Sequence, residues 1–170
     1  MKKLILIAAV VLGFTTTSFA QLSATANASA NMVSALNVAK VANADMNFGT
    51  IYTPSAASTL VLTAAASAVL TPSTGLQILS TTGGSAAHFI VTAGAGSPHV
   101  NWSAGPINLT SGSNTMSLSA LTSSTVTQGA NVTLVSGSLD VYIGGTLNIA
   151  ANQATGTYTN TGGVSVTVAY

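Results

Sequence analysis

Four side chains beyond residue 20 have the chemistry for acid–base work or metal binding: His88, His99, Asp45 and Asp140. If the strands that carry the two histidines were neighbours, both imidazoles could reach one metal ion. Two histidines without thiolates or further carboxylates make a poor zinc site, however, and calcium needs several carboxylate oxygens. The sequence therefore predicts no metal and no cofactor.

A serine nucleophile is also disfavoured. The stretch GGSAA, residues 83–87, begins like the G-x-S-x-G motif but has alanine at its last position. His88 alternates with Phe89 along an extended run, which places it on the outer face or the rim of the fold, and His99 follows a proline in a turn. We predict that the protein is not an enzyme.

Charge is almost absent. Beyond residue 20 the charged side chains are Lys40, Asp45 and Asp140, and the chain has neither arginine nor glutamate. We expect Lys40 and Asp140 in solvated outer positions and Asp45 at a turn. This composition excludes a basic patch and hence ordinary nucleic-acid binding. Low charge also weakens the repulsion that keeps monomers apart.

Residues 1–20 have the features of a signal peptide. Lys2 and Lys3 precede an apolar run from Leu4 to Phe14, and Ser18-Phe19-Ala20 fits the small-x-small cleavage rule. We predict cleavage after Ala20 and a single domain over residues 21–170, secreted to the periplasm, cell surface or medium. The apolar run is too short to span a bilayer, so no transmembrane segment is expected after signal removal. The cysteine count is zero, so packing and strand pairing must hold the fold.

The remaining chain has a hydrophobic period of two. The predicted strands cover residues 31–41, 45–51, 58–64, 75–80, 86–93, 99–103, 106–110, 115–121, 131–136, 139–143, 146–151 and 163–170. Residues 56–68 are rich in alanine, which favours helix, but their β-branched alternation favours strand. Many short strands between Gly, Pro, Ser and Thr clusters indicate an antiparallel sandwich or barrel.

Aromatic side chains divide between the expected core and the expected surface. Trp102, Phe48 and Phe89 lie on apolar faces of their strands and are predicted to be buried. Tyr52 and Tyr142 are the better candidates for exposure, but two tyrosines do not define a carbohydrate site.

Two stretches carry a family resemblance: DMNFGTI at residues 45–51, and LDVYIGGTLNIAANQATGTYTNTGGVSVTVAY at residues 139–170, in which a glycine pair is predicted to join two strands. They resemble a family of secreted bacterial β-sandwich proteins catalogued as domain of unknown function 4402. More distantly, they are similar to spore-coat-U and chaperone–usher pilin subunits, although the two cysteines of the usual pilin disulfide are missing.

The resemblance implies an all-β, immunoglobulin-like, pilin-like antiparallel two-sheet sandwich whose missing strand comes from a chaperone or from the next subunit. An open edge of this kind favours strand addition and head-to-tail assembly. Two alternating segments supply candidate partner-binding residues. The donor face of QLSATANASAN (21–31) and the face of the last strand comprise Leu22, Ala24, Ala26, Ala28, Ala30, Val164, Val166, Val168 and Tyr170. Alanines fill a groove poorly, so the main-chain ladder would supply most of the affinity.

We therefore expect a non-catalytic structural subunit of a cell-surface or fimbria-like assembly, which pairs with itself or with a periplasmic chaperone. One alternative is that residues 22–41 form one long first strand that closes the protein's own sheet. Another is a free-standing adhesin that binds a glycan or a protein through loops such as TPSTG, TTGG or SGSN.

Overall fold

The computed structural model describes residues 22–94, 96–134 and 137–170. The predicted signal peptide lies outside these residues. The chain forms two units, Met1–Met32 and Val33–Tyr170. In the first unit, residues 22–32 have neither helix nor strand and their side chains are exposed.

The second unit is built from strands. Their bounds are β1 Asn37–Lys40, β2 Thr50–Ile51, β3 Ser58–Leu62, β4 Leu70–Pro72, β5 Ile78–Ser80, β6 Ala87–Thr92, β7 His99–Trp102, β8 Ile107–Ser111, β9 Asn114–Ser123, β10 Ser138–Ile149 and β11 Val166–Ala169. The described residues contain no helix, and residues 56–68 include β3. The predicted all-β, antiparallel fold is confirmed.

The largest sheet has seven strands and curls into a half-barrel. Its main path runs β1-β6-β10-β3-β4, while β9 pairs with β10 and β8 pairs with β9. Two further ladders join β7 to β11 and β2 to β5. Every ladder is antiparallel.

Strand β10 organises the half-barrel, because its first half pairs with β6 and its second half with β3. The prediction that Gly144 and Gly145 form a turn between two strands is wrong, since both lie inside one continuous strand. Neither has a positive φ. A Cβ on Gly144 would collide with the Leu62 carbonyl oxygen, so this glycine allows β3 and β10 to approach closely.

Apolar side chains form two cores on either side of this glycine pair. We call cluster 1 the buried set Ala87, Phe89, Val91, Val100, Val126, Val132, Val141, Ile143 and Val166. Cluster 2 is the buried set Phe48, Leu60, Leu62, Leu76, Met116, Leu118, Leu147 and Ile149. Every second residue of β10 points inwards, first into cluster 1 and then into cluster 2. The predicted burial of Phe48 and Phe89 is confirmed.

Some strand predictions need correction. Of the predicted strand 131–136, residues 135 and 136 lie outside the described residues, and among residues 131–134 only Asn131 pairs, through an isolated bridge to His99. The short edge strand β4 has too little alternation to be predicted. Trp102, predicted to be buried, is only half-buried at the margin of cluster 1, where its indole N–H donates to the Leu121 carbonyl oxygen at 3.3 Å.

Candidate functional site at the open edge of the last strand

His88 lies on the outer face of β6, as its alternation with buried neighbours predicts. Its Nε2 is 2.7 Å from Asp140 Oδ1, and its ring stacks on Tyr142 with centroids 4.2 Å apart. The stacking leaves the histidine side chain only 18% exposed, whereas that of Asp140 is 58% exposed. Among the described residues no serine or threonine hydroxyl bonds to His88, although a nucleophile activated by this histidine would need such a bond.

The contacts of His88 with Tyr142 and Asp140 lead us to expect a modest effect on stability. We expect His88→Ala to lower the free energy of unfolding by about 1 kcal/mol, because it removes both the ring stacking and the pairing with Asp140. Asp140→Asn should cost less, since the exposed carboxylate is well solvated. Urea denaturation of the two variants measures both effects, and a larger loss for Asp140→Asn would contradict this reading.

The other titratable groups have separate partners. Lys40 Nζ lies 2.8 Å from Asp45 Oδ1 at the surface, and Asp45 follows a turn closed by a bond from Ala44 N to Val41 O. His99 is on β7, where its Nδ1 lies 3.1 Å from the Gly129 carbonyl oxygen. In the part of the chain that the structure describes, no three His, Cys, Asp or Glu side chains form a group able to hold a metal.

The last strand, β11, pairs along one edge only. Ser103 N donates to Ser165 O at 3.0 Å, which fixes the hydrogen-bonding phase of the β7–β11 ladder. Because hydrogen-bonded and non-hydrogen-bonded pairs alternate along an antiparallel ladder, Thr167, two residues after Ser165, also bonds to β7. Val168 faces Val100, whose own backbone instead bonds to the loop at Gly129 and Ala130. The N–H and C=O groups of Val168 therefore point to the outer edge.

That outer edge carries no ladder within residues 22–94, 96–134 and 137–170. Val164 and Val168 flank it, half-buried against cluster 1, while Val166 is itself buried. Strand β1 lies next to β11 without pairing to it. The valines of the last strand thus share one face, as the sequence predicts.

Besides the ladder with β7, contacts of Ser103 and Tyr170 support the two ends of β11. Ser103 Oγ donates to the Gly163 carbonyl and accepts from Ser165 N, each at 2.8 Å. At the other end the ring of Tyr170, which is 65% exposed, lies against Gly96, where a Cβ would come within 2.6 Å of the ring. The role of Ser103 could not be predicted, since one serine after a strand is too common to interpret.

The residues of the predicted donor face lie in the first unit. Leu22, Ala24, Ala26, Ala28 and Ala30 are exposed and belong to no strand. The first strand of the fold, β1, begins only at Asn37. Residues 22–36 are therefore not part of any ladder in this structure.

The described residues include no helix long and apolar enough to cross a membrane. Comparison with known families matches residues 36–170 to a family described as a domain of unknown function, DUF4402. No curated protein and no solved structure matches the chain.

Proposed function

Since the chain belongs to the DUF4402 family, as its sequence features predict, we propose that it is a non-catalytic, secreted structural subunit of a cell-surface assembly. Residues 22–31 of one copy add as a strand to the outer edge of β11 in the next copy. The observation that carries this proposal is the unpaired outer edge of β11, with Val164 and Val168 half-buried beside it.

The small side chains of the proposed donor suit pairing along a strand edge better than filling an open groove in the core. Val91, Val100, Val141 and Ile143 have no exposed surface, so cluster 1 is already closed without a partner. An added strand therefore has no large core cavity to fill, and alanine side chains are sufficient. Its binding free energy comes from main-chain hydrogen bonds along β11.

The donor and the acceptor edge are different surfaces, so the contact is head-to-tail and propagates from copy to copy. Lys40 and Asp45 pair with each other, and Asp140 pairs with His88. Little net charge is left to oppose close approach between copies.

We also interpret the half-barrel and the β7–β11 pair as the two layers of an immunoglobulin-like sandwich. Cluster 1 supports this interpretation because it joins Val91 and Val141 of the half-barrel to Val100 and Val166 of the pair. The distant resemblance to pilin subunits points to the same architecture.

A matched pair of proline variants tests the proposed edge. Val168→Pro removes an outward N–H and leaves the bonds to β7 intact, so we expect a folded protein whose self-association weakens at least tenfold. Thr167→Pro removes a bond to β7 and leaves its acceptor unpaired, so it should instead destabilise the fold by about 1–3 kcal/mol.

Sedimentation velocity and thermal melts distinguish these effects. Undiminished assembly of a folded Val168→Pro variant would exclude the outer edge of β11 as the site of contact. If the protein assembles only when a separate chaperone is present, the chaperone and not a second copy is the partner that pairs with this edge.

A further inference from the structure

A row of neutral hydrogen-bonding side chains crosses the half-barrel on the face opposite cluster 2. The β-ladders align Thr59, Asn148, Ser117 and Asn108, one each from β3, β10, β9 and β8. Ser73 extends the row, because its Oγ accepts from Thr59 N at 2.9 Å and its N donates to Thr59 O at 2.8 Å. At about 4.8 Å between neighbouring strands, the row is about 19 Å long.

These five side chains line one surface groove with a volume of about 510 Å³. Thr115 and Gln153 add further polar groups, and the exposed residues Ala57 and Ala150 contribute small apolar areas. No charged side chain lines the groove. Its chemistry is that of hydroxyl and amide groups interrupted by small areas of hydrocarbon.

The polar groups are held in fixed orientations. The Asn148 amide donates to Ser117 O at 3.1 Å and to Ser119 Oγ at 2.8 Å. Because a backbone carbonyl only accepts, the amide nitrogen must face Ser117, and Asn148 Oδ1 is left as an acceptor. The Gln153 amide likewise donates to Thr115 O at 3.1 Å and to Tyr158 Oη at 2.8 Å.

We propose that this groove binds a neutral polysaccharide chain. Hydroxyl groups along an extended glycan can both donate to and accept from a row of Ser, Thr and Asn side chains. The C–H faces of the sugar rings can rest on the methyl groups of Ala57 and Ala150. A charged polymer would find no counter-charge in the groove, and strands β3, β10 and β9, which form its middle, are paired on both sides and offer a peptide no free backbone edge. This inference does not depend on strand addition.

Two variants test the groove without disturbing the fold. The side chains of Thr59 and Asn108 make none of the hydrogen bonds described for this structure, so Thr59→Val and Asn108→Ala should melt like the parent protein. The matched control is Thr92→Val, on β6 and outside the groove. The probes are neutral oligosaccharides with glucose, mannose, galactose or N-acetylglucosamine backbones, titrated at millimolar concentrations and followed by amide NMR shifts.

We expect at least one neutral series to shift the amides of Thr59, Ser117 and Asn148, and each groove variant to weaken that binding about fivefold. The control variant should bind as the parent does. Absence of shifts with every neutral series would overturn the proposal, as would binding confined to acidic oligosaccharides. Groove shifts that depend on protein concentration alone would identify a protein partner instead.

Discussion

Replacing Gly144 by alanine should cost about 3 kcal/mol of folding stability, or roughly 10 °C in melting temperature. The new Cβ would collide with Leu62 O and would lie 2.6 Å from Ala64 N and 2.7 Å from Thr63 C. All three atoms belong to the backbone of one neighbouring segment. They can move only if the end of β3 separates from β10.

Gly145→Ala is the matched control for this experiment. Its Cβ would meet mainly the flexible ends of leucines, 2.8 Å from Leu121 Cδ2 and 3.1 Å from Leu118 Cδ1. Small rotations of these side chains relieve the contact, so we expect a loss of about 1 kcal/mol. Equal losses for the two variants in thermal denaturation would contradict the close-approach role assigned to Gly144.

Gly144 also shows where prediction from sequence fails. A glycine pair between two alternating runs is typical of a turn, and this interpretation divided β10 in two. The physical reason for these glycines is contact with β3 and with two leucines, which are distant in the sequence. Local pattern carries no information about such contacts.

The alternation of apolar and polar residues was informative about the positions of the strands. It predicted β3, β6, β7, β8 and β9 close to their observed bounds. It also placed His88 outside and the valines of the last strand together on one face. Pairing partners were not predictable, so neither the stacking of His88 on Tyr142 nor the row from Ser73 to Asn108 emerged from the sequence.

Deleting residues 22–31 should abolish head-to-tail assembly, the largest functional effect that we expect. The deletion removes the whole proposed donor and leaves every strand of the second unit in place. The melting temperature of the shortened protein should therefore match that of the full-length monomer. Light scattering after size-exclusion chromatography, over a range of protein concentrations, compares the two proteins.

A composition-matched control distinguishes strand pairing from non-specific association. Shuffling residues 22–31 so that apolar and polar residues no longer alternate keeps the length and composition but destroys the face containing Leu22, Ala24, Ala26, Ala28 and Ala30. We expect assembly to weaken strongly. If the shuffled protein assembles as well as the parent, the alternating pattern has no role in assembly.

Hydrogen exchange at the Val168 amide tests the central claim most directly, because this N–H points to the outer edge of β11. The amide should exchange fast in the protein lacking residues 22–31 and slowly in the assembled full-length protein. The Thr167 amide, which bonds to β7, should be protected in both. Fast exchange at Val168 in the assembled protein, or equal protection with and without residues 22–31, would contradict strand addition at this edge.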